Sequence, residues 1–194
     1  MAYLRISEAR TAARGIRNPL QKSAGQLLTE QARGFSASTQ YDVFLSHSHD
    51  DAELILGVKK LIEDSGLTVY VDWIDDAKLD RSKITRETGE LLRVRMRSCS
   101  SLVYVHSDNS RDSVWMPWEL GYFDGYKPRH VWILPLVSNS DGEFKGQEYL
   151  GLYPPVDKFT SLAGRQNLGF IIGTTQEEYS LTKAVREGGV YFTG

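Results

Sequence analysis

Two textures alternate along this chain. Short, nearly continuous apolar runs rich in β-branched and aromatic residues predict strands at Tyr41-Asp42-Val43-Phe44-Leu45-Ser46, Leu67-Thr68-Val69-Tyr70-Val71, Ser101-Leu102-Val103-Tyr104-Val105 and Val131-Trp132-Ile133-Leu134-Pro135-Leu136-Val137. Between them the period changes to that of a helix. Leu54, Ile55, Val58, Leu61 and Ile62 make one buried stripe. Asp50 and Asp51 are placed to satisfy that helix's first amides, and Gly66 to close it. Further helices are predicted over 83–97 and from Trp115 to Gly125, with a long polar loop from Asp72 to about Ser82. Residues 156–159 suit a short edge strand. The tail carries two apolar patches, Phe170-Ile171-Ile172 and Val190-Tyr191-Phe192, with a helix between them.

Strands alternating with helices at this spacing imply an α/β fold, with an open parallel sheet of about five strands covered by helices on both faces. The continuous apolar character of the strands agrees, since such strands are buried on both sides. Gly34 and the run Ser36-Ala37-Ser38-Thr39 read as a linker. The expected divisions are a basic, helical N-terminal arm over 1–38, the α/β domain over 39–162 and a C-terminal extension over 163–194.

Composition narrows the function. The chain of 194 residues, 41% hydrophobic and 25% charged, is that of an ordinary globular protein. It has no apolar run near the about 20 residues of a membrane helix, so no membrane partner is expected. The single cysteine, Cys99, excludes an internal disulfide framework and fits a reducing, cytoplasmic setting. A net charge of −2 gives no footprint for nucleic acid. The arm is the exception. Arg5, Arg10, Arg14, Arg17, Lys22 and Arg33 face only Glu8 and Glu30 there, a balance of +4. That composition fits an assembly element better than a transit peptide.

Open parallel sheets bind ligands at the carboxyl ends of their strands. The rule nominates Ser46 to Asp51, Asp72 to Ser82, His106 to Val114 and the helix that follows. Pro117 suits the first turn of that helix, and Glu119 falls near its N-terminus, where the dipole favours a carboxylate. His47 and His49 alternate with serines, but no third or fourth ligand stands nearby, so no metal is expected. The glycines lack the spacing of a phosphate loop, and no Ser/His/Asp nucleophile pattern stands out.

The box Tyr41-Asp42-Val43-Phe44-Leu45-Ser46-His47 resembles the first-strand box of TIR (Toll/interleukin-1 receptor) domains. Trp115-x-x-x-Glu119-Leu120 resembles the signature of their third helix, and Val71-Asp72-Trp73 through Ile84 falls where they carry a long loop. The resemblance spans roughly residues 40–160 and is strongest toward stand-alone prokaryotic TIR proteins of Thoeris antiphage defence. It implies a flavodoxin-like TIR fold with Glu119 as the catalytic residue of an NAD⁺-cleaving enzyme, a glycohydrolase or ADP-ribosyl cyclase. It also implies self-association through TIR domains, with the long loop of one copy completing a neighbour's pocket, and a separate effector that responds to the product. NAD⁺ is then substrate, and no cofactor is required.

The chemistry is coherent. Glycoside cleavage usually needs a general acid for the leaving oxygen. Nicotinamide leaves as a neutral base, so one carboxylate suffices to hold the ribose hydroxyls and stabilise charge growing at the anomeric carbon. Ser46, His47, Asp72, Trp73, Arg81, Lys83, His106 and Trp115 are the expected substrate-binding residues. His47 or Trp73 would stack on an aromatic ring. The family often carries an arginine where this chain has Ser48, so Arg81, Lys83 or Arg86 would supply the charge instead. Two other functions compete with this one: a non-enzymatic TIR scaffold, and a deoxyribosyltransferase-like enzyme acting on nucleosides.

Overall fold

The computed structural model describes residues 3–16, 39–71, 85–138, 144–160, 166–172 and 177–187. At its centre is a five-stranded sheet built from β1 (Leu4–Arg5), β2 (Tyr41–Ser46), β3 (Val69–Tyr70), β4 (Cys99–His106) and β5 (Val131–Val137), in the order β1-β5-β4-β2-β3. Every pairing in it is parallel. Helices α1 (Ile6–Ile16), α2 (Ala52–Glu63), α3 (Arg86–Arg97), α4 (Trp115–Tyr126) and α5 (Leu181–Glu187) complete the described helices.

Alternation along the strands sorts the core into two layers. Val43, Leu45, Val103, Val105, Trp132 and Leu134 face α1, α2 and α5. Phe44, Leu102, Tyr104 and Ile133 face α3 and α4. Helices therefore cover both faces, as the apolar strands predict. No helix among the described residues is long and apolar enough to cross a membrane.

The fifth strand differs from expectation. At the start of the stretch 156–159, Pro155 bridges Ile133 of β5 in parallel and the Val156 N–H donates to the Ile133 carbonyl at 2.7 Å, after which the chain leaves the parallel sheet. β6 (Asp157–Thr160) pairs antiparallel with β7 (Gln166–Ile172), which pairs with β8 (Glu177–Ser180) in a separate three-stranded sheet. Beyond that bridge the same edge of β5 is taken by β1, with Leu4 opposite Leu136 and Arg5 opposite Val137. A strand of two residues leaves no period to read, which is why the pattern missed it. Of the segment expected as a helical arm over 1–38, the described residues Ile6–Ile16 form α1, which lies against α2. Gly57 makes that approach possible: a Cβ there would stand 1.8 Å from the Ala9 carbonyl oxygen.

Helix ends follow local chemistry. The Thr85 hydroxyl accepts the Thr88 amide at 3.1 Å and starts α3. Gly66, at φ 87°, turns the chain after α2. Asp51, the residue before α2, makes no side-chain cap. Its carboxylate is used elsewhere. The patch Val190–Phe192 lies outside the described residues, whereas Phe170–Ile172 falls in β7 and the expected tail helix is α5.

Candidate active site

Glu119 is the fifth residue of α4, near its N-terminus at the start of the second turn. Its side chain is 0% exposed. The Ser46 hydroxyl, at the carboxyl end of β2, donates to Glu119 Oε2 at 2.6 Å across 73 residues of sequence. In register beside Ser46 stands Tyr104 on β4. Burial above all, then Tyr149 and the Glu119 charge, pushes the Tyr104 phenol well above its ordinary range. The carboxylate is thus held between the ends of two central strands, in surroundings where a charge acts with little screening. Trp115, one turn earlier on α4, is buried and meets Trp118 edge-on, with centroids 5.6 Å apart.

The other expected residues divide. His47 is fully buried, and its Nδ1 lies 2.7 Å from the Leu45 carbonyl. A carbonyl only accepts, so that bond puts the proton on Nδ1. No face of the ring is at the surface for stacking. Ser48, at the family's arginine position, is also buried. His106 ends β4 but does not join Glu119. It lies edge-on to Phe144, centroids 4.9 Å apart, and lines a cavity toward β5 and the start of α1. Burial first, and Arg111 second, push its pKa down. Asp72, Trp73, Arg81 and Lys83 lie outside the described residues. Among the described residues no three His, Cys, Asp or Glu side chains are grouped to hold a metal.

Sequence reasoning missed the polar hub at the mouth of this site. Asp51, buried, accepts from the Ser107 hydroxyl at Oδ2 and from Asn109 Nδ2 at 2.7 Å at Oδ1. Ser107 and Ser110 bond each other, the Ser110 hydroxyl donating to the Ser107 carbonyl at 2.7 Å. The loop after β2, which starts at Ser46, is therefore clamped to the loop after β4, which leads into α4. The available signal was the small polar run Ser107-Asp108-Asn109-Ser110 directly after an apolar strand. Nothing in it named Asp51 as its partner.

Known proteins share this arrangement of boxes. The family profile described as TIR domain matches residues 43–166. A Bacillus cereus (strain MSX-D12) protein named "Probable 3' cyclic ADP-D-ribose synthase ThsB'" is 51% identical over 158 residues, covering 81% of this chain and 76% of that protein. A Cytobacillus dafuensis protein named "Putative cyclic ADP-D-ribose synthase TIR2" is 35% identical over 83 residues, 42% of this chain and 22% of its own length. Among solved structures, the TIR domain of the Toll-related receptor TRR-2 from Hydra magnipapillata aligns with a TM-score of 0.43 at 18% identity, covering 60% of this chain and 84% of that one. With the profile spanning more than half of its length and a relative identical at half the aligned positions, this chain belongs to the TIR domain family.

Proposed function

We propose that this chain is an NAD⁺-cleaving TIR enzyme that releases nicotinamide and closes the remaining ADP-ribose on itself, as a cyclic ADP-ribose synthase. The observation that carries the reading is the buried Glu119 carboxylate fixed by the Ser46 hydroxyl at the strand ends. The 51% identical relative, named as a 3' cyclic ADP-D-ribose synthase, supports the cyclic product over the hydrolysed one.

In the reaction the bond between the anomeric carbon and the nicotinamide nitrogen breaks. Its electron pair leaves with nicotinamide, which becomes neutral. Positive charge on the ribose is stabilised by Glu119, whose one oxygen Ser46 holds in place. A hydroxyl oxygen of the same molecule then bonds the anomeric carbon, and its proton passes to the Glu119 carboxylate or to water. If water attacks instead, the product is linear ADP-ribose. No cofactor enters either route. The product serves as a signal in antiphage defence within the cytoplasm, read by a separate effector protein.

Because the carboxylate is closed off from solvent in this arrangement, substrate access has to part the side chains above it. Self-association involving the loop from Asp72 to Ser82 is the proposed means.

The test is incubation of concentrated protein with NAD⁺, followed by chromatography and mass analysis. Glu119→Ala is expected to lower nicotinamide release at least about 100-fold, and Ser46→Ala about tenfold. Release that persists undiminished in Glu119→Ala would remove Glu119 from the chemistry. A product mass equal to linear ADP-ribose would replace cyclisation by hydrolysis. No release from the unaltered chain at any concentration would favour the scaffold.

A further inference from the structure

The carboxyl edge that holds Glu119 also holds a second cavity, of about 240 Å³. Ile6, His106, Asp108, Arg111, Ser138 and Lys145 line it, and Ser46, His47, Trp115 and Glu119 do not. It opens where β4 and β5 end and α1 begins, the edge at which open parallel sheets hold ligands.

Its charge favours an anion. Among the described lining residues, Arg111 and Lys145 stand against the single carboxylate of Asp108. Arg111 Nη2 donates to the Lys145 carbonyl at 3.1 Å, which braces the guanidinium while the fork keeps further N–H groups. Ile6 is the first residue of α1, where the helix dipole is positive; the Glu8 carboxylate of the same turn takes the Arg5 amide at 2.9 Å.

A second observation is independent of the helix end. His106 is only 7% exposed, and its Nε2 is buried with no hydrogen-bond partner among the described residues. Buried ring nitrogens are ordinarily paired, and an unpaired one marks a place that something else completes. The Phe144 ring that lies edge-on to this imidazole is itself part of the cavity wall.

We propose that this cavity binds a phosphate ester of sugar-phosphate size, with Arg111, Lys145 and His106 as its recognition groups. Its volume lies below the range of about 300–1,000 Å³ typical of pockets that enclose a drug-sized ligand, so it takes one phosphate with its sugar and not a whole dinucleotide. Two sources share that chemistry: a phosphate of the nucleotide held at Glu119, and a separate phosphorylated small molecule.

The test uses the full chain and long-range proton–nitrogen NMR of its four histidine rings. Inorganic phosphate, ribose 5-phosphate and ADP-ribose are titrated in turn. With the first two, the His106 ring signals are expected to move saturably in the millimolar range. Arg111→Gln, at an exposed side chain, is expected to raise Kd at least about tenfold, while Glu119→Ala leaves it unchanged. ADP-ribose then separates the sources. If its effect on His106 weakens in both variants, the ligand is the nucleotide bound at Glu119; if it weakens only in Arg111→Gln, the ligand binds on its own. Absence of saturable movement with phosphate and ribose 5-phosphate, or movement that Arg111→Gln leaves unaltered, overturns the proposal. Nothing is turned over in this experiment, so a chain inert toward NAD⁺ gives an equally clear answer.

Discussion

Asp51 shows how one buried carboxylate can fix a site it does not line. Both of its oxygens accept hydrogen bonds from the loop after β4, and its own backbone amide donates to the Ser48 carbonyl at 3.2 Å. Truncation leaves the buried Ser107 hydroxyl, and the exposed Asn109 amide, without their acceptor. Asp51→Ala is therefore expected to destabilise the fold by about 2–4 kcal/mol, read as a lower urea midpoint with unchanged slope. A loss within about 0.5 kcal/mol would mean that water replaces the carboxylate at no cost. Glu119 itself was legible in the sequence because it stands inside a box with Trp115 and Leu120. Asp51 was not, because its meaning depends on residues 56 and 58 positions away. A helix-start pattern offered a sufficient local explanation for it, and the structure gives that explanation no bond. His106 was nominated for the right edge of the sheet and turned out to face the neighbouring cavity.

Among elements, the parallel strands and the helices between them followed from periodicity, since β2, β4 and β5 are long enough to show it. β1 did not, and α1 showed only as a helix of unknown placement. Gly57 is the residue that decides that placement. In Gly57→Ala the new methyl group meets the Ala9 carbonyl oxygen and carbon, at 1.8 and 2.6 Å from an ideally placed Cβ, and both are backbone atoms. α1 has to move away from α2 to accommodate it. Expected outcomes are a loss of about 1–3 kcal/mol and faster hydrogen exchange confined to α1 and β1. Unchanged protection in α1 would show that the two helices can separate without cost. α4 carries a different lesson. Trp118, Tyr122 and Tyr126 stack down one side of it, with centroids 5.8 and 6.4 Å apart; from α3 the Arg93 guanidinium lies over Trp118 and Tyr122, and that of Arg97 over Tyr122. Trp118 and Tyr122 are half-buried and Tyr126 is exposed. The cation over the Tyr126 ring is Lys127, 5.8 Å from its centroid, while the arginines cover the two half-buried rings.

Across the whole molecule, segments 150 residues apart are joined by charge as well as by packing. Glu8 in α1 receives hydrogen bonds from Lys158 in β6, 2.7 Å to each oxygen, and from the Arg5 side chain at 3.1 Å. Burial alone would raise this carboxyl, but the Arg5 and Lys158 bonds outweigh it and hold its pKa down at about 2. A depressed folded pKa gives stability that is complete above the unfolded value of about 4.3 and disappears as pH falls toward 2. The group is partly solvated, so the contribution is about 1–2 kcal/mol after allowance for screening. Glu8→Gln should therefore remove that much stability at neutral pH. The gap between the two proteins should close between about pH 4.5 and 2, measured by urea unfolding. A gap that stays constant through that window would show that the pairing contributes no charge-dependent stability.

The edge position of β1 also bears on how the chain is made. Leu4 leaves the ribosome 132 residues ahead of Leu136, its partner in the sheet. At a synthesis rate of about 5–20 residues per second, that is a wait of about 7–26 s. Throughout it, the first strand waits for its partner in the sheet, and once β5 emerges the part of its outer edge at Leu136 and Val137 is bare until β1 docks. On a crowded polysome the nearest β1 can belong to the neighbouring nascent chain. An exchanged dimer, with each copy's first strand seated in the other's sheet, is the misassembly to which this topology is most exposed.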